Sequence, residues 1–266
     1  MNTIKGKIIQ EENSFDQGYV AEVKLHAGSN SQMIGFANQI ICNKNRFKLP
    51  VYLVETGKQE GTYRLLINTT TYSEEKRERL VEQLRDHEFE LVVEEDPYFE
   101  LHHGCQKMLL FIDQSALFVN LAEIDFLSLK NIEFNVFVIA EEKDPVLDYL
   151  QHKHGNNIKI LSSFTADNIQ AVLDQQLIGT KLFISGDWPL VRDVKQAAYE
   201  AGFTDAEIQT KEIGKKEEKV YCVKCYNHNE KTNSSEIKCE HCHTVLDVSN
   251  HFSKRLDAYL GYIQVV

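Results

Sequence analysis

Lys181-Leu182-Phe183-Ile184-Ser185-Gly186-Asp187-Trp188-Pro189-Leu190 is the stretch that decides the fold. Lys181–Ser185 is a short apolar run of the kind found in parallel strands covered on both faces. Asp187 then stands at an N-cap position. From Trp188 onward, Leu190, Val191, Val194, Ala197, Ala198 and Ala201 fall on one helical stripe, which stops at Gly202. Toward the N-terminus the same pairing of elements recurs. Leu109–Asp113, Phe134–Ala140 and Ile158–Leu161 are further apolar runs, and helical stretches run from Pro145 to about Lys153 and from Ala166 to about Gln176. Thr165 caps the second of these helices, which sets Ile169, Val172, Leu173 and Leu177 on one side. Strand and helix alternating at this spacing predict a doubly wound, Rossmann-like parallel sheet over residues 106–214.

Residues 1–105 have a different rhythm. Tyr19–Leu25 alternates as a half-buried strand does, and Pro50–Val54 and Tyr63–Asn68 read as two more strands. Ser73 is placed to cap a helix with Glu74 and Glu75 in its first turn and Val81 and Leu84 facing inward. Phe89–Val93 reads as a strand that stops near Asp96-Pro97. Lys76–Arg79 reads as a solvated helix face. At the other end, the polar Gly214–Lys219 hinge leads to Cys222, Cys225, Cys239 and Cys242, a C-x2-C-x13-C-x2-C array holding four of the six cysteines. The expected fold class is α/β: a mixed α+β domain (1–105), a Rossmann-like domain (106–214) and a small zinc ribbon (215–266).

Two C-x2-C knuckles facing each other supply the tetrahedral S4 shell that Zn2+ prefers. Neither knuckle offers an open coordination position. The ion would therefore be structural, standing in for a core too small to stabilise such a module. Rubredoxin-type iron is the alternative. The glycine that usually follows each knuckle is replaced by Tyr226 and His243, so backbone N–H contacts to sulfur are less expected here. Cys239-Glu-His-Cys242-His243 also matches the c-type haem pattern, but that reading leaves Cys222 and Cys225 unexplained. His228, His241, His243 and His251 surround the array, the first two reading as loop histidines. His102-His103 beside Cys105 reads as a linker, and Cys42 as a small buried hydrophobe.

The formal charge of −11 over 266 residues argues against nucleic acid, and residues 222–266 carry five basic and five acidic side chains. The first residues do not read as a signal peptide and no apolar run has transmembrane length. A cytoplasmic protein is expected, with its cysteines as metal ligands rather than disulfides. No Walker loop, nucleophile elbow or H-E-x-x-H occurs. Asp113 ends the first strand of the sheet, where open α/β sheets bind ligands. Its turn, Asp113-Gln-Ser-Ala-Leu-Phe, lacks the glycines that let a backbone approach a pyrophosphate. No catalytic residue is assigned.

Ile184–Leu190 with the helix to Gly202 resembles the last strand and helix of ferredoxin-reductase nucleotide modules, where Cys-Gly-Pro opens a helix beside the nicotinamide. Here Ser185 stands for the cysteine, Gly186 matches and Asp187 replaces the proline. The Arg-x-Tyr-Ser flavin fingerprint of that family is not met, the nearest string being Thr70-Thr71-Tyr72-Ser73. The cysteine array followed by Leu246–Ser253 and Arg255–Tyr262 is similar to the DmmA-like subunits of bacterial dimethylamine monooxygenases. That resemblance implies an accessory or electron-transfer subunit without its own active site. It would work with a haem oxidative demethylase and a flavin/iron–sulfur reductase, and only the four cysteines transfer as site residues. The alternative is an NAD(P)H-dependent reductase component with redox-active iron in the array. Tyr259 and Tyr262 serve either to pack the ribbon or to face a partner.

Overall fold

A computed structural model describes residues 2–26, 34–56, 59–93, 99, 101, 104–140, 143–214, 218–253, 256 and 258–263. The expected strand stop at Asp96-Pro97, the His102-His103 pair, most of the hinge after Gly214, and Arg255 lie outside the described residues.

The first unit is a closed barrel with one helix. Its elements are β1 (Asn2–Phe15), β2 (Gly18–Leu25), β3 (Ile34–Cys42), β4 (Asn45–Glu55), β5 (Thr62–Asn68), α1 (Glu74–Asp86) and β6 (Phe89–Val93). All pairings are antiparallel, in the order β1-β2-β5-β4-β3-β6, with β6 closing onto β1. Period-2 alternation aims Ala21, Val23, Leu49, Val51, Leu65 and Ile67 at the barrel core. Leu80 and Leu84 of α1 are buried in the same core, and Val81 is partly buried. Ser73 occupies the N-cap position of α1 without a side-chain cap bond. β3 turns into β4 through Asn43-Lys44, both at positive φ (46° and 66°), which makes a two-residue type I′ hairpin.

The second unit contains β7 (Lys107–Asp113), α2 (Leu121–Leu129), β8 (Glu133–Ile139), α3 (Pro145–His154), β9 (Ile158–Ile160), α4 (Ala166–Leu173), β10 (Thr180–Gly186), α5 (Trp188–Glu200) and β11 (Ile208–Glu212). Its sheet is wholly parallel in the order β11-β10-β7-β8-β9. Numbered within the unit this is 5-4-1-2-3, the doubly wound arrangement whose switch point lies between β7 and β10. α2 and α3 cover one face of the sheet, α4 and α5 the other. The caps form as anticipated: Thr165 accepts the Asn168 N–H at 3.3 Å and Asp187 the Leu190 N–H at 2.8 Å. α4 ends earlier than its stripe suggests, and Leu177, expected on the inner side, is 84% exposed beyond the helix.

The two units share a core. β2 was expected to be half-buried, yet all but one of its residues are buried, because its outer face meets the second unit. Val20, Tyr52, Val54 and Leu66 of the barrel pack with Leu117, Phe118, Leu121 and Ile124 from the segment after β7. α2 is buried from Leu121 through Leu127 on every side, including Glu123 and Asp125. Glu123 meets Lys211 of β11 at 3.1 Å, and Lys211 also donates to the Val119 carbonyl at 3.0 Å. Burial pushes the Glu123 carboxyl well above and the Lys211 ammonium well below their ordinary values. At the rim of the seam Asp125 accepts from Arg64 of β5 and lies 2.7 Å from Lys153 of α3. Arg64 also pairs with Glu12 of β1 at 2.8 Å.

The third sheet holds β12 (Lys219–Cys222), β13 (His228–Glu230), β14 (Glu236–Lys238), β15 (Val245–Ser253) and β16 (Ala258–Ile263). The order is β13-β12-β16-β15-β14, with β12 and β16 parallel and the other pairs antiparallel. Gly261 lets these strands close up, since a β-carbon there would stand 2.8 Å from Val220 Cγ1 and 3.0 Å from Leu246 Cδ1.

Candidate metal centre

β12 ends on Cys222 and delivers the first knuckle. The turn after β14 delivers the second. All four sulfurs lie within 4.8 Å of one another, with Cys222–Cys242 at 3.7 Å and Cys225–Cys239 at 3.6 Å. A tetrahedron with Zn–S bonds of about 2.3 Å has sulfur–sulfur edges of about 3.8 Å, so the protein alone nearly sets the ligand spacing. Among the described residues this is the one group of three or more potential ligands held close enough for an ion.

The two knuckles match bond for bond. The Cys222 N–H donates to the Asn227 carbonyl and the Cys239 N–H to the Thr244 carbonyl, both at 2.9 Å. The Tyr226 N–H donates to the Cys222 carbonyl and the His243 N–H to the Cys239 carbonyl, again both at 2.9 Å. Tyr226 (φ 63°) and His243 (φ 56°) take the left-handed conformation themselves. The missing glycines therefore do not remove the backbone contacts to sulfur. Lys224 and Cys225 N–H groups reach the Cys222 sulfur, and those of His241 and Cys242 reach Cys239. The expectation of weaker N–H support is corrected, because the turn geometry is kept at some conformational cost.

These contacts tune the thiols. Burial pushes Cys222 up to about 11. Cys242 falls to about 6 because the Thr244 hydroxyl and N–H favour its thiolate. For Cys239 burial opposes ionisation, but the two N–H contacts together with the hydrogen bond from Cys225 outweigh it and the pKa is lowered. The sequence reading missed Thr244 and Lys224. The Thr244 hydroxyl lies 3.4 Å from Cys242 Sγ, and Lys224 Nζ donates to that hydroxyl at 2.8 Å, tying one knuckle to the other. An isolated threonine and lysine give no signal in a sequence.

Two of the nearby histidines are engaged elsewhere. His228 Nε2 lies 3.1 Å from the Leu256 carbonyl, and His241 Nε2 lies 3.2 Å from the His228 carbonyl. Cys42 is buried in the barrel, its thiol directed at the Gln83 carbonyl, and Cys105 contacts the Lys107 carbonyl. Tyr259 packs edge-on against Phe252 and donates to Glu218 at 3.0 Å, whereas Tyr262 is about half exposed. The two tyrosines thus split between packing and surface.

Residues 219–262 match the family described as dimethylamine monooxygenase subunit DmmA-like, C-terminal domain. The delta subunit of a heme-dependent oxidative N-demethylase from Ectopseudomonas mendocina (strain ymp) is 29% identical over 125 residues, 46% of this chain and 71% of that protein. Phthalate dioxygenase reductase, described as a modular structure for electron transfer from pyridine nucleotides to [2Fe-2S], superposes with a TM-score of 0.56 at 12% identity, covering 86% of this chain and 76% of the reductase. A ferredoxin NADP+ reductase from Neisseria gonorrhoeae, solved with FAD and NADP, gives 0.54 at 11% identity, covering 80% and 99%. Identities this low speak to fold alone. The chain has a ferredoxin-reductase-like fold of barrel and parallel sheet, continued by a four-cysteine cluster.

Proposed function

We propose, from the match of residues 219–262 to the DmmA-like C-terminal domain, that the chain is an accessory or electron-transfer subunit of a multicomponent amine monooxygenase of the dimethylamine type, without an active site of its own. The match over the cysteine module carries this reading, and the likeness to an N-demethylase delta subunit supports it. Its partners would be a haem oxidative demethylase and a flavin/iron–sulfur reductase in the cytoplasm, with no nucleic acid involved. No helix among the described residues is long and apolar enough to cross a membrane.

We read the chain as three domains, 1–105, 106–214 and 215–266, the last a zinc ribbon. Cys222, Cys225, Cys239 and Cys242 would hold one Zn2+, which supplies folding energy to a module whose own core is small. Among its fully buried apolar side chains are Val220, Leu246 and Ala258. A second reading is an NAD(P)H-dependent reductase component with iron in the array. The N–H contacts at Cys222 and Cys239 keep it open, since they supply the hydrogen bonds to sulfur that tune an iron site.

Elemental analysis with a visible spectrum separates the two. A colourless protein with about one zinc per chain supports the subunit reading; an iron chromophore reduced by NADPH overturns it. Native isolation adds the partner test. Co-purification with a haem protein and a flavoprotein is expected, and a lone monomer contradicts the proposal.

A further inference from the structure

The crevice outside the carboxyl ends of β7 and β10 is where an open α/β sheet binds its ligand, and one of the fold relatives was solved with NADP. Binding a pyrophosphate there needs backbone without a β-carbon, free N–H donors beside a helix start, and no competing negative charge. Gly186 meets the first need. A β-carbon on it would stand 2.3 Å from Asp113 Oδ2 and 2.7 Å from Asp113 Cγ. The space its missing side chain leaves is thus already taken, by the carboxylate of the neighbouring strand.

The donors are taken as well. Asp113 Oδ2 accepts the Asp187 N–H at 2.7 Å. Asp113 Oδ1 accepts the Ser115 hydroxyl at 2.6 Å and the Ala116 N–H at 3.2 Å. Asp187 uses its own carboxylate on the Leu190 N–H at the start of α5. Two carboxylates of the chain therefore take four donors at the crevice, and an incoming pyrophosphate would meet two like charges beside them. These residues do not fit a dinucleotide.

We propose that Asp113 is an internal anion occupying the phosphate position of the switch point, so that the sheet binds no nicotinamide dinucleotide and serves as framework. The inference stands on β7, β10 and α5 and is independent of which ion the cysteines hold. It also predicts that the site is latent. Removing the carboxylate frees three donors and the Gly186 cradle for a bound oxyanion.

The test is calorimetric titration of the full chain with NADPH, NADH and inorganic pyrophosphate, for the wild type, Asp113→Gly and Asp113→Ser. The serine variant keeps an oxygen that can still cap the Ala116 N–H, which guards against loss of the fold. The wild type should bind all three more weakly than about 1 mM, and a folded variant should bind pyrophosphate at least about tenfold tighter. Saturable micromolar binding of NADPH or NADH by the wild type overturns the proposal. So does a folded Asp113 variant, with unchanged circular dichroism, that binds pyrophosphate no better than the wild type.

Discussion

The Phe118 ring rests on the backbone of Gly18, so close that a β-carbon on Gly18 would stand 2.2 Å from Phe118 Cζ and 2.3 Å from the Ile67 carbonyl oxygen. Gly18 opens β2 of the barrel and Phe118 follows β7 of the sheet, so this contact joins the two units. Gly18→Ala should cost about 1–3 kcal/mol or more through overpacking, and Phe118→Ala about 3–5 kcal/mol through the cavity it leaves. Urea unfolding followed by separate barrel and sheet probes should show both units melting together. Two separate transitions in the wild type would refute the shared core.

Glu123 and Lys211 make opposite contributions to the pH dependence of stability. The raised carboxyl pKa of Glu123 stabilises the fold at low pH, and that contribution is lost as pH rises through the folded value. The lowered pKa of Lys211 stabilises the fold above the ordinary lysine value, and its contribution is lost as pH falls through the folded value. Between the two ordinary values the slopes oppose each other. Glu123→Gln should leave a stability that climbs from neutral toward alkaline pH, and Lys211→Met one that declines above the usual carboxyl range. Denaturant midpoints across pH read both slopes, and parallel profiles for the two variants would refute the coupling.

Asp113 and Gly186 should be coupled. Gly186→Ala drives a methyl group into the Asp113 carboxylate and should destabilise the wild type by about 1–3 kcal/mol. In an Asp113→Gly background the same change should cost far less. A double-mutant cycle on thermal unfolding measures this, and simple additivity would show that the close approach carries no energy.

Cys239→Ser removes one thiolate from the S4 group. The variant should lose its ion and unfold β12–β16 while the barrel and parallel sheet keep their transition. Elemental analysis and amide spectra report each part. Stoichiometric metal retained in this variant would mean that the ligand assignment is wrong.

Lys44 sits at φ 66° in the hairpin between β3 and β4, after Asn43. Asn-Gly is the preferred pair for this turn, so Lys44→Gly should stabilise the barrel by about 0.5–1 kcal/mol despite the added chain freedom. A lower melting temperature would show that Lys44 makes a compensating contact.

What the sequence reveals here follows from which faces are covered. β10 and α5 are legible because one is apolar on both sides and the other has a single stripe behind the Asp187 cap. α2 is hidden because burial on every side erases the stripe, and its buried Glu123 and Asp125 look like surface residues. β11 is hidden for the opposite reason. It is a half-buried edge strand, Ile-Gln-Thr-Lys-Glu, with the polar makeup of a loop. β1 closes the barrel on both flanks, but register shifts between Ile8 and Gln10 and between Glu11 and Asn13 break its alternation. At the cysteines the spacing picks out the four thiols that the structure brings together. The positive φ of Tyr226 and His243 has no counterpart in residue type, so the N–H support for sulfur is visible only in three dimensions.

The parallel pairing of β12 with β16 sets an order of synthesis. Cys222 pairs with Gly261, and the Val223 N–H donates to the Gly261 carbonyl at 3.1 Å. On a ribosome the first two thiols emerge about forty residues before the strand that braces them, an interval of about 2–8 s at about 5–20 residues per second. During that interval Cys222 and Cys225 stand in the nascent chain without β16 beside them, exposed to oxidants and to any passing thiophilic ion. The redox state of these two thiols is therefore open to their surroundings while the chain is being made, before the strand that braces them exists.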